Sequence, residues 1–329
     1  MKLIVSLSPH IHTKDSIPWR MWNVVIALVP ALVMSIITFG WDALWVILIS
    51  IGACLLTEWL ITRFLFKEKK FTLLNGSALI TGLLLGFNLP SILPWWMIIM
   101  GGVVAIGIAK MSFGGLGANI WNPALVGRVY LLLSFPAAMT TWPTGINSPF
   151  HQITTGASQA TADASSGATL LTYINNGNTD LSSYNLLDMA IGNMNGSLGE
   201  IGGFAIIGGF VWLLLTRVIS WHIPVAVVGS AAFFSWVFGG APILDIFAGG
   251  LLLGAVFMAT DYVTSPMTHT GQIIYGIMIG FLTIIIRRFS AYPEGVSFAI
   301  LLMNSFVPLI NRYCRPSIFG MKERRKMAV

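Results

Sequence analysis

Long apolar runs, parted by short polar or glycine-rich breaks, fill most of the chain. Ten of them read as membrane spans: Trp22–Phe39, Ala43–Phe66, Leu73–Leu89, Trp95–Lys110, Asn122–Phe135, Ile201–Thr216, His222–Phe238, Ile243–Ala259, Gln272–Ile286 and Val296–Ile310. Crossing a bilayer takes about 20 mainly apolar residues as a helix. None of the runs alternates like a barrel strand, and in lipid a helix satisfies its own backbone. The pattern predicts an all-α integral membrane protein of ten helices. One polar stretch interrupts it, from Ala137 to Gly199, rich in Thr, Ser, Asn and Gly and free of Lys and Arg. A connection this long is usually functional or disordered. The chain therefore divides into a tail (1–21), a first membrane half (22–136), the polar loop (137–199), a second half (200–311) and a basic tail (312–329).

Composition agrees. Of 329 residues, 56% are apolar and 9% charged, with a mean hydropathy of +0.81. A soluble domain carries roughly 25% charged residues. The 18 Lys and Arg against 12 Asp and Glu lie in short loops between spans, so the basic balance does not point to nucleic acid. With both termini in the cytoplasm, Lys2, Lys14, Arg20, Arg63, Lys67, Lys110, Arg217 and the C-terminal cations fall on the cytoplasmic side, as the positive-inside rule asks. The polar loop then faces outward, together with Arg287 and Arg288. Trp19, Trp22, Trp95, Trp96 and Trp142 stand where interfacial indoles are favoured. Cys54 and Cys314 are isolated, which argues against a metal centre or iron–sulfur cluster held by this chain.

Gly82-Leu83-Leu84-Leu85-Gly86 in the third span recurs as Gly250-Leu251-Leu252-Leu253-Gly254 in the eighth. Each is followed by an irregular polar stretch, Asn88-Leu89-Pro90 and Thr260-Asp261-Tyr262. Five spans per half would make the halves an inverted 5+5 repeat with broken helices, an architecture of proteins that hold a site near the midplane. The frequency of Gly and Leu in membrane helices gives the same echo by coincidence.

Ionisable groups inside a bilayer default to function. Arg128 lies two turns into the fifth span. It follows Gly114-Gly115-Leu116-Gly117-Ala118-Asn119-Ile120-Trp121-Asn122-Pro123, in which Asn122 is an expected N-cap and Pro123 the first helical residue. Such a helix entry presents amides to an anion or carbonyl oxygen, or it simply starts a helix. Asp261 and Thr264 follow the eighth span, as a cap or as an ion-coupling pair. Glu58 and Asp245 are weaker candidates, and Glu58 reads more simply as an interhelical partner. Arg287 and Arg288 are expected near a phosphate, with pairing to Asp245, Glu200 or Glu294 as the plainer alternative.

The pattern D-x-x-S-G-A-T, from Asp163 through Ser166, Gly167 and Ala168 to Thr169, resembles the flavinylation motif of bacterial membrane flavoproteins. Taken with Gly115–Pro123, Ala259–Pro266 and the Pro293-Glu294-Gly295 turn, it makes nearly the whole chain similar to the D subunit of the Rnf ion-translocating electron-transport complex. The B subunit of the sodium-translocating NADH:quinone reductase is a near relation of that family. Tyr262 departs from it, since Pro is common after the Asp. The resemblance implies FMN esterified to Thr169 by a flavin transferase, and a second, non-covalent flavin (riboflavin or FMN) near Asn119, Asn122 and Arg128. It also implies a place in a bacterial inner-membrane complex that passes electrons between ferredoxin and NAD⁺ and moves Na⁺ or H⁺. No strand, GxGxxG and helix occur in order, so electrons must come from partner subunits. A stand-alone transporter or channel, or a structural anchor for redox subunits, fits the helices alone. Denatured protein is expected to keep a flavin label, seen by in-gel fluorescence and by an added mass of FMN less water. Thr169→Ala should abolish it while the chain still inserts.

Overall fold

The computed structural model describes residues 16–67, 75–142, 196–200, 202–290 and 294–315, so the motif from Asp163 to Thr169 lies outside the described residues. All regular structure among them is helical. Helix α1 is Ile17–Phe39, α2 Trp41–Leu60, α3 Ser77–Phe87, α4 Trp95–Val103, α5 Pro123–Ser134 and the short α6 Pro136–Met139. After the loop come α7 Gly203–Leu215, α8 His222–Val237, α9 Pro242–Phe247, α10 Leu251–Leu253, α11 His269–Phe289 and α12 Val296–Tyr313. Single π-turns, Ile61–Leu65, Val104–Ile108 and Gly254–Met258, prolong α2, α4 and α10. Five of these helical segments are long and apolar enough to cross a membrane, and α3, α5, α7 and α8 are shorter apolar helices. Their outward side chains, such as Trp45, Leu56, Leu215 and Phe233, are large, apolar and exposed, as a lipid-facing surface requires. The chain is an all-α membrane protein.

Local chemistry sets the helix starts. The Ser16 side chain accepts from Trp19 N–H, so α1 begins at Ile17, five residues before the expected Trp22. Asn122 caps α5 through Ala124 N–H, with Pro123 at the first position, as expected. Thr268 caps α11 through Gly271 N–H. The eighth span was expected to run unbroken from Ile243 to Ala259. It is instead split at Ala248–Gly250, because Gly249 (φ 68°) and Gly250 (φ 64°) take left-handed conformations that end one helix and start another. Helix α3 of the third span starts at Ser77, after Gly76 at φ 77°, and the expected start at Leu73 lies outside the described residues. The two Gly-Leu-Leu-Leu-Gly runs differ in use. Gly82 and Gly86 lie inside α3 against Ile51 and Ile47 of α2, whereas Gly250 begins α10 and Gly254 meets Val296 of α12.

In the first half α2 packs on α3 and α4, and in the second α8 and α12 pack on α11. Contacts of α1 with α7, and of α5 with α12, join the halves. The segment Gly196–Glu200 adds a seam. Gly199 N–H donates to Phe87 O at 2.7 Å, Leu198 N–H to Leu89 O at 3.3 Å, and Ser35 Oγ to Leu198 O at 2.6 Å. Trp142, expected at an interface, is buried.

At the α1–α7 crossing a Cβ on Gly209 would collide with Ala27 O, while one on Gly208 would meet nothing within 4 Å. Gly209→Ala is therefore expected to cost about 1–3 kcal/mol by overpacking, and Gly208→Ala nearly nothing. Thermal unfolding of the two purified variants in detergent checks this contrast.

Candidate functional site

Two polar regions occupy the interior, and α5 reaches both. The first is a cleft between the entry of α1, α3, the α4–α5 connection, α7 and the end of α10. Its walls are apolar, with Leu84, Leu213, Val218, Val256 and Phe257. Its deeper polar groups are Ser77, Thr81, Lys110, Asn119, Asn122 and Asp261, and Arg20, Thr260 and Tyr262 also line it. Ligand pockets usually combine an apolar lining with a few placed polar groups.

Each of these groups is held. Asn122 Nδ2 donates to Met258 O at 3.2 Å, which ties the start of α5 to the end of α10. Its backbone N–H donates to the amide oxygen of Asn304 at 3.2 Å, and the Asn304 nitrogen then donates to Tyr275 Oη at 2.6 Å. Asn119 Nδ2 donates to Trp121 O at 3.1 Å. The Asp261 carboxylate accepts from Thr264 Oγ1 at 3.2 Å and also from the Asn119 side chain and Val263 N–H. Lys110 Nζ is buried. It donates to Glu58 Oε2 at 2.6 Å and to Ser77 Oγ at 2.7 Å.

The second region is a cluster of charges around the end of α3 and the break in the eighth span. Arg128 donates to Asn88 Oδ1 at 2.6 Å and pairs with Glu294. Arg287, 2% exposed, does not face solvent. It donates to Asp245 O at 2.6 Å, Ala248 O at 2.7 Å and Gly249 O at 3.3 Å, which are the carbonyls left open where α9 ends. A guanidinium suits the negative end of a helix. Arg288 lies 3.6 Å from Asp245 Oδ2, and Asp245 also accepts from Ser235. Glu200 sits beside the start of α10, within the field of both Arg128 and Arg287, and accepts from Ser197 N–H at 3.1 Å.

The structure thus sorts the residues singled out from the sequence. Asn119, Asn122 and Asp261 meet at the cleft, with Thr264 behind Asp261. Arg128 belongs instead to the charge cluster with Arg287 and Arg288. Sequence reasoning missed Lys110 as a buried partner of Glu58 and took it for a cytoplasmic-edge cation. Its position at the end of the fourth apolar span was the available signal. It also passed over Asn88 as a partner of Arg128. No group of three or more His, Cys, Asp and Glu that could hold a metal occurs among the described residues.

A multi-span helical protein with broken helices, interior charges and a mostly apolar cleft is the class that fold and site define. The chain belongs to the NQR2, RnfD, RnfE family, whose model matches residues 4–320. It is 40% identical over 326 residues to the D subunit of the proton-translocating ferredoxin:NAD⁺ oxidoreductase complex of Clostridium ljungdahlii, covering 97% of this chain and 96% of that one. It is 41% identical over 330 residues to the D subunit of the Na⁺-translocating ferredoxin:NAD⁺ oxidoreductase complex of Acetobacterium woodii, covering 100% and 98%. The D subunit of the ion-translocating oxidoreductase complex of Stutzerimonas stutzeri is 38% identical over 343 residues, covering 96% of each chain.

Removing one partner of a buried ion pair leaves the other charge without compensation. Lys110→Met is therefore expected to destabilise the protein by about 3–5 kcal/mol. Adding Glu58→Leu should recover most of that loss. Midpoints of thermal unfolding for the single and double variants measure both.

Proposed function

We propose that this chain is the membrane-embedded D subunit of an ion-translocating ferredoxin:NAD⁺ oxidoreductase complex in a bacterial inner membrane. In this reading it carries FMN on Thr169, in an outward-facing loop, and a second flavin in the cleft. The observation that carries the proposal is the near full-length similarity to two subunits so named, in a chain whose Asn119, Asn122 and Asp261 converge on one cleft. The apolar walls and few polar groups of the cleft suit the planar ring system of a flavin. Asn119 and Asn122 would hold its polar edge, and Leu84, Val256 and Phe257 would keep water from its faces. When bound, a flavin supplies one- and two-electron transfer.

The residues of this chain do the rest. Added charge in a low-dielectric interior is costly unless a counter-charge accompanies it. Asp261 stands at the cleft with its carboxylate on Thr264 Oγ1, where it can hold a proton or a cation. The Lys110–Glu58 pair is neutral as a unit and adds no net charge beside it. Identities of 41% to a relative named for Na⁺ and 40% to one named for protons leave overall similarity neutral between the ions. Electrons would enter and leave through other subunits of the complex, and a flavin transferase would attach the FMN.

Acid precipitation of the purified complex separates the two flavins. Thr169→Ala should remove the fluorescent label from this chain alone, and Asn119→Leu should lower the acid-released flavin by about one per complex, the expectation for a single ligand site. A wild-type chain that runs as a colourless, unlabelled band after maturation with its transferase would refute the proposal.

A further inference from the structure

We propose that Arg20 and Tyr262 form a latch across the mouth of the cleft, and that their contact governs how fast a planar aromatic solute enters or leaves. The Arg20 guanidinium lies over the Tyr262 ring, 5.5 Å from its centroid, inside the range in which a cation is drawn to an aromatic face. Both residues line the cleft.

Exposure separates rim from interior. Tyr262 is 45% and Leu116 41% exposed, whereas Lys110 and Asn122 are each 3% exposed. Access to the buried amides and to Asp261 therefore runs past Tyr262, Arg20 and Leu116.

The two sides of the latch come from different halves of the chain, and each is anchored by its own backbone. Arg20 sits in the first turn of α1, where its N–H donates to Ser16 O at 3.1 Å and the Ser16 side chain caps the helix. Tyr262 rides on the turn after α10. That turn is fixed by Ser265 N–H to Asp261 O at 3.1 Å and by Thr264 Oγ1 to the Asp261 carboxylate. Met267 N–H to Asn311 Oδ1 at 3.1 Å ties its far end to α12. With both backbones held, opening falls to side-chain rotation of a long arginine, a fast motion of small amplitude.

The pairing also selects. A guanidinium stacks on any aromatic plane, so a flat aromatic solute passing the rim can replace the tyrosine face over Arg20. An aliphatic solute offers no such exchange, and the cation would lose its ring contact as that solute passes.

Thiol labelling tests the latch without reference to any bound flavin, so a failed flavin assignment leaves the test intact. In the full complex in membranes, Cys54→Ala and Cys314→Ser remove the native thiols, and Thr81→Cys places one inside the cleft. A small methanethiosulfonate reagent is the probe, and Leu116→Cys at the rim is the control for folding and reagent access. Tyr262→Leu and Arg20→Gln should each speed labelling at position 81 about tenfold. The double variant should be no faster than either, and Tyr262→Phe, which keeps the ring, should match the parent. Unchanged rates, effects that multiply in the double variant, or a Phe variant as fast as the Leu variant would overturn the proposal. So would a thiol at position 81 that never reacts while the control does.

Discussion

Charge taken out of water has to be matched inside the protein, and that requirement organises the interior of this molecule. The ionic groups Arg128, Glu294, Arg287, Arg288, Asp245 and Glu200 gather where the third span ends and the eighth breaks. A broken helix in lipid exposes backbone carbonyls and amides that no water can satisfy. Arg287 occupies the carbonyl end of α9, and Glu200 stands by the amide end of α10. The protein thus fills the poles of its own interrupted helix with tethered charges of the right sign. Three arginines and three carboxylates leave this region close to neutral, which is how so many ions are tolerated in an apolar body.

The second polar region is kept apart from the first, and α5 separates them. Its entry, Asn122, faces the cleft and reaches across to Met258 O. Arg128, further along the same helix, turns to Asn88 and Glu294. One element therefore orients the cleft amides at its start and balances charge in its body. The two ends of the Met258 residue take part in the same arrangement, since its carbonyl meets Asn122 and its sulfur lies 3.8 Å from Asn88 Nδ2.

Much of this was written in local sequence. Asn122-Pro123 announces a capped helix start because cap chemistry depends on neighbouring residues only. The apolar runs located most spans, since burial in lipid is read from composition. The break in the eighth span was harder to see, because Leu, Ile and Phe on both sides of Gly249-Gly250 keep the run apolar and hydropathy says nothing of φ. Arg287 was legible as an anomaly but not as a cap, because its acceptors lie about 40 residues earlier and are backbone atoms, which carry no side-chain signature. Lys110 was misjudged for a related reason. Its partner Glu58 is 52 residues away, and only the fold brings the helix ends together.

Gly196–Glu200 has one more implication. The segment is stitched to Phe87, Leu89 and Ser35, and on the other side of the long connection Trp142 and Met139 are sunk into the body. Both roots of that connection are therefore fastened to the helical body. The helical body therefore sets where that connection leaves and where it returns, and its two ends are held at fixed points of the scaffold.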